Sequence, residues 1–200
     1  MKDAFLPTLG GQLSIEVRDP RGSLISQHSQ PIKRYVANFN RLVRCQLMYK
    51  TGVTQVMRLT AMSGISQLVD GPSAEWLSRV GNQGSFEGIL IGTSPRAVQG
   101  TDYKLGTPYR PGGTTANRFT HNVGTWISET KAVGTLTYRY QRSFTNNTAL
   151  SLTVNEVGFA PSSDKNTVAL ATMIIRDTIL ATSVPSLATI TVTYDLFAVK

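Results

Sequence analysis

The sequence predicts a mainly β domain, an antiparallel β-sandwich or jelly-roll-like fold carrying one amphipathic helix and an extended loop or arm. Three observations predict it. Apolar and polar residues alternate, as in Leu13, Ile15 and Val17 against Ser14, Glu16 and Arg18, or Ile190, Val192 and Tyr194 against Thr189, Thr191 and Thr193. This is the period of a strand with one buried face. Clusters of Gly, Pro, Asn and Asp punctuate these stretches, as turns do. The third observation is that 200 residues with 40% hydrophobic and 16% charged side chains suit one domain with a sizeable core, residues 1–200.

The elements follow in order. Residues 1–30 end in an N-terminal hairpin, because "DPRG" turns the chain between the strand at Leu13–Val17 and a return strand starting at Leu24 and Ile25. Val36, Phe39, Val43 and Leu47 recur at helical spacing and predict an amphipathic helix over 34–51, with Arg34, Arg41 and Arg44 on another flank. Residues 53–69 read as one or two strands, 70–86 as turn-rich chain, and "GILIGTS" as a short buried strand. The Gly-, Pro- and Thr-rich stretch 93–118 is long for an interior connection and predicts an extended arm. From 132 to 200, four alternating stretches separated by "NNT", "PSSDKN" and "SVPS" predict a C-terminal antiparallel sheet.

Charge and motifs bound the chemistry. The net charge is +8. Residues 20–69 contain no Asp or Glu, yet hold Arg21, Lys33, Arg34, Arg41, Arg44, Lys50 and Arg58. Such a block fits an acidic protein surface or, without sequence specificity, a nucleic-acid backbone. No apolar run approaches the length of a transmembrane helix, and the start shows no apolar signal region, so neither a membrane span nor Sec export is expected. The single cysteine, Cys45, excludes an internal disulfide and a multi-thiolate zinc site and reads as a small buried side chain. His28 and His121 lie in different elements with no acid at metal-ligand spacing, and no phosphate loop, nucleophile elbow or zinc-protease motif is present. No cofactor and no catalysis are expected.

Glu156 stands out. Leu150, Leu152 and Val154 alternate with polar residues, but Glu156 takes the next apolar position, after which Val157 and Phe159 continue in the opposite phase. A β-bulge produces such a phase break. A buried carboxylate must be neutral, paired or turned outward. No second acid or base joins it, which favours a structural role, with Arg176 or backbone amides as partner. If 150–160 and 167–177 form a simple hairpin, Glu156 falls opposite Val168 to Leu170, short of Arg176. Contact then needs a diagonal reach, an irregular register or another layer.

The order of the motifs "LSIEVRDPRGSLIS", "YVANFNRLV", "GILIGTSPRAVQGTDYKL", "RSFTNNTALSLTVNEVGFA" and "MIIRDTIL…ATITVTYDL" resembles a β-rich virion protein domain of tailed bacteriophages and spans most of the chain. The resemblance implies a noncatalytic component of the virion, made in the bacterial cytoplasm and assembled in many copies, with Glu156 of the E-V-G element as a fold signature. Capsid decoration or cement is the first expectation, with other virion proteins as partners and a homo-oligomer, a trimer by analogy. A tail, baseplate or fibre component is the alternative, including a receptor- or glycan-binding module if Trp76 and Trp126 are exposed. Tyr103, Tyr109 and Arg110 on the arm, with Arg34, Arg41 and Arg44, are the candidate partner-binding residues.

Overall fold

Why the strands pair as they do follows from where their apolar faces can be covered. The computed structural model describes residues 8–41, 56–70, 87–112, 118–132, 135–165 and 168–199. In chain order the strands are β1 (Thr8–Arg18), β2 (Leu24–Pro31), β3 (Val56–Thr60), β4 (Ser66–Asp70), β5 (Gly88–Gly92), β6 (Arg110–Pro111), β7 (Arg118–His121), β8 (Thr125–Ala132), β9 (Thr135–Thr145), β10 (Leu152–Ala160), β11 (Ser162–Lys165), β12 (Val168–Ala171), β13 (Ile175–Val184) and β14 (Thr189–Val199). A large sheet runs β2-β1-β14-β9-β7-β6, with β8 also on β9; a small sheet runs β13-β10-β5. Pairing is antiparallel except for the two-residue β6–β7 contact.

The two sheets pack as a β-sandwich. Leu13, Ile15, Val17, Ile190, Val192, Tyr194, Tyr140 and Phe144 from the large sheet meet Ile89, Ile91, Leu152, Val154, Val157, Phe159, Ile175 and Val184 from the small one. The other face of the large sheet is polar: Ser14 and Ser29 hydroxyls lie 3.1 Å apart, and Arg139 pairs with Asp195 across strands. The small sheet is covered on both faces. Val36, Leu90, Val98, Leu105, Ala160 and Met173 form a second cluster on its far side. This is why "GILIG" is apolar without alternation, since every residue of β5 is buried.

Three expectations are corrected. The C-terminal stretches do not make one sheet. β9 and β14 pair in the large sheet and β10 and β13 in the small one, so the chain crosses between layers at "NNT" and again at "SVPS". The stretch after "PSSDKN" is two strands: β12 closes a separate hairpin with β11, residues 172–174 break the run, and β13 then pairs with β10. The helix begins late. Residues 37–41 are helical, but Tyr35 bridges Ile175 and the Val36 amide donates to the Ile174 carbonyl, so 34–36 runs extended beside β13. The cause is Asp177, whose Oδ1 accepts the Lys33 amide at 2.9 Å and holds this segment against the sheet. Residues 42–51 of the expected helix lie outside the described residues.

Candidate functional site

β10 places the carboxylate that broke the alternation. Its ladder with β13 is irregular between Val154, opposite Thr182, and Glu156, opposite Thr178. The irregularity lets Val154 and Val157 both face the main core and turns Glu156 to the far face of the small sheet. There residues 93–109 leave β5 and return beside it, with the Thr93 amide donating to the Thr107 carbonyl and the Tyr109 amide to the Ile91 carbonyl. The expected arm is therefore folded over its own sheet as far as Tyr109, after which Arg110–Pro111 pair with β7 of the large sheet.

Glu156 ties that loop down. Its Oε1 accepts the amides of Ser94 at 3.2 Å and Thr107 at 2.8 Å. Its Oε2 accepts the Gly106 amide at 2.9 Å and Arg176 Nε and Nη2 at 3.0 and 2.8 Å. Both proposed kinds of partner thus act together. Gly158 lies opposite Arg176 and Thr178 opposite Glu156, so the side chains meet by the diagonal reach. Arg176 also donates from Nη1 to Asp102 Oδ2 at 2.5 Å and from Nη2 to the Arg96 carbonyl at 3.2 Å. Asp102 accepts Arg96 Nη2 at 2.6 Å and the Gln99 amide at 2.8 Å.

The cluster of Arg96, Asp102, Glu156 and Arg176 balances two cations with two anions, and Glu156 and Arg176 are fully buried. Burial pushes the Asp102 carboxyl upward, but hydrogen bonds from Arg96, the Gln99 amide and Arg176 outweigh it and hold the pKa below the ordinary value. Close approach demands glycine at two points. A Cβ on Gly92 would lie 2.5 Å from Glu156 Oε1, and one on Gly106 would lie 2.6 Å from Ser94 Oγ. With five N–H donors on its two oxygens, Glu156 is a loop anchor with no oxygen left to take a proton from a substrate.

Two further buried groups join the layers. Arg142 on β9 donates from Nε to the Asn122 carbonyl at 2.8 Å and from Nη1 to the Glu87 carbonyl at 2.7 Å and the Ile89 carbonyl at 3.1 Å, bridging the sheets. Burial lowers its pKa to about 10, opposed by the Glu87 charge. Asp177 faces Tyr35 and Tyr194. Burial raises its carboxyl to about 6 against the amides of Lys33 and Arg34 and the Lys33 charge, and its Oδ2 has no hydrogen-bond partner among the described residues.

The other expected residues are scattered. Arg34 and Arg41 are exposed, whereas Arg44, Cys45 and Trp76 lie outside the described residues. Tyr103 is half-buried beside Gly64, with Lys104 Nζ 5.5 Å from its ring centroid. Arg110 is exposed on β6. Tyr109 is corrected: at 7% exposure, edge-on to Phe119 and donating its hydroxyl to the Thr153 carbonyl, it is a core residue and offers no surface anchor. Trp126 is 39% exposed and packs edge-on against Tyr138 and Tyr140. His28 lies on β2 and His121 is buried against Phe144, with no group of three His, Cys, Asp or Glu side chains fit to hold a metal among the described residues.

Sequence reasoning missed Arg96, Asp102 and Arg142. Asp102 had a signal, as the one acid between Glu87 and Glu129. Ser94, Gly106 and Thr107 act through backbone amides, which leave no trace in residue type. Against protein-family models, curated proteins and solved structures alike, comparison of the chain returns no match.

Proposed function

We propose that the chain is a noncatalytic structural component of a tailed phage particle, capsid-associated as a decoration or cement protein, held by protein–protein contacts and present as a homo-oligomer. It is made in the bacterial cytoplasm and resides in the virion. The observation that carries this reading is the state of Glu156. The one acid whose position invited catalysis has both oxygens occupied by loop amides and an arginine, which is architecture without reactivity. The charge distribution supports a docking role. Lys33, Arg34, Arg41 and Lys104 are exposed, and the described residues 33–41 and 93–112 hold a single acid, Asp102, already bound to two arginines. The Ala37 amide donates to the Gly100 carbonyl, so both segments belong to one basic face suited to an acidic partner surface.

The partly exposed Trp126 favours a second reading, a tail, baseplate or fibre component that stacks a sugar on the indole. The test is mass spectrometry and cryo-electron microscopy of purified particles from producing cells. Fixed-stoichiometry recovery with density on the head supports the first reading, density on the tail the second, and absence from particles overturns both.

A further inference from the structure

One edge strand of each sheet lies on the same flank of the sandwich. β2 ends the large sheet and β13 ends the small one. They are linked at one end, where Gln30 Nε2 donates to the Thr178 carbonyl at 3.2 Å and the Lys33 amide to Asp177 Oδ1. Beyond that link a groove of about 290 Å³ opens between them, lined by Ile15, Ile25, His28 and Leu180 with polar neighbours. Among the described residues no strand pairs with the outer edge of β2, nor with the edge of β13 that faces away from β10 along residues 180–184.

The rims bear no Asp, Glu, Lys or Arg and carry exposed apolar side chains among polar ones. The bulge that sets Arg18 opposite Leu24 and Val17 opposite Ser26 exposes two successive apolar side chains, Leu24 and Ile25, at 51% and 47%. Leu180, across the groove, is 72% exposed. Residues 24–31 and 178–188 contain no Asp, Glu, Lys or Arg, in a chain whose net charge is +8. Edge strands that stay solvent-exposed are ordinarily guarded by charge, especially lysine, and these are not. Two strongly cationic copies meet with least repulsion along a strip that bears no charge.

We propose that this flank is a homodimer interface, in which two copies related by a two-fold axis pack β2–β13 flank against flank and each seats Leu24, Ile25 and Leu180 against the other's groove. The proposal deepens the assembly reading and rests on its homo-oligomer, not on a position in the particle. A two-fold contact is isologous, so the same uncharged strip serves both copies. A strand the length of β2 spans ~27 Å and two layers with side chains ~20 Å, giving roughly 500 Å² per copy against the ~800 Å² of a standard interface. A weak dimer with Kd in the micromolar range follows.

Sedimentation velocity of the full chain, from about 1 to 200 µM to bracket that Kd, reads the result. The expected outcome is a shift from 21.8 kDa toward twice that mass. Leu180→Asp and Ile25→Lys, both at exposed positions where circular dichroism should show an unchanged fold, each raise Kd at least ~10-fold. A monomer throughout, a trimer, or a dimer indifferent to both substitutions overturns the proposal. A monomer that still enters particles refutes the dimer alone; a Leu180-dependent dimer absent from particles refutes the virion role alone.

Discussion

Replacing Arg176 with methionine removes the cation that Glu156 and Asp102 share and leaves Glu156 fully buried with only its three loop amides. Removing one member of a buried ion pair costs ~3–5 kcal/mol, because the remaining charge stays desolvated. Glu156→Gln preserves shape but not chemistry. All five partners are donors, so either orientation of the amide points an NH2 group at another donor, at a cost of about 3 kcal/mol. For a chain of this size each kcal/mol lowers Tm by ~2–4 °C, so each variant should melt roughly 10 °C below the parent. The double variant should lose less than the sum, with a coupling of about 2 kcal/mol from chemical denaturation. The decisive local readout is hydrogen exchange at Ser94, Gly106 and Thr107. If Glu156 anchors the loop, 3 kcal/mol corresponds to ~100-fold faster exchange there. Coupling below about 0.5 kcal/mol, or unchanged exchange at those amides, would refute the anchor.

Other consequences follow from single groups. Asp177 has its folded pKa raised from 3.8 to about 6 by burial, so its favourable contribution is complete below the unfolded pKa and is lost as pH rises through about 6. Asp177→Asn should therefore unfold at higher denaturant concentration than the parent at pH 8 and lose that advantage by pH 4; equal gains at both would refute the assignment. Gly92→Ala forces a methyl to 2.5 Å from Glu156 Oε1 and 2.6 Å from the Thr107 carbonyl. It should destabilise by ~1–3 kcal/mol in calorimetry and speed exchange at Thr107 in the same variant. Leu187 adopts φ 63° while 58% exposed. Asparagine tolerates that conformation better, so Leu187→Asn should raise stability by about 0.5 kcal/mol in denaturant titration.

The alternation around Leu13–Val17 and Ile190–Tyr194 made β1 and β14 legible, because each strand has one face in the core and one in water. The phase break at Asn155 was equally legible, since it shifts side chains from one face to the other. The apparent amphipathic helix misled at its start. Val36 is apolar and buried because it packs beside β13, so its spacing to Phe39 imitated a helical period. The 93–112 segment looked like a free arm because glycines and prolines mark irregular chain, and a tightly anchored loop and a projecting one share that composition.

The sequence by itself therefore determined the β class, the strand faces, the cationic balance and the oddity of Glu156. Tertiary structure alone decided that β9 and β14 lie in one layer with β10 and β13 in the other, and that the loop folds over Glu156. The physical reason is that alternation records which side of a strand is dry and not what covers it. The amides of Ser94, Gly106 and Thr107 that capture the carboxylate belong to the backbone, and only the folded path of the chain brings them to it.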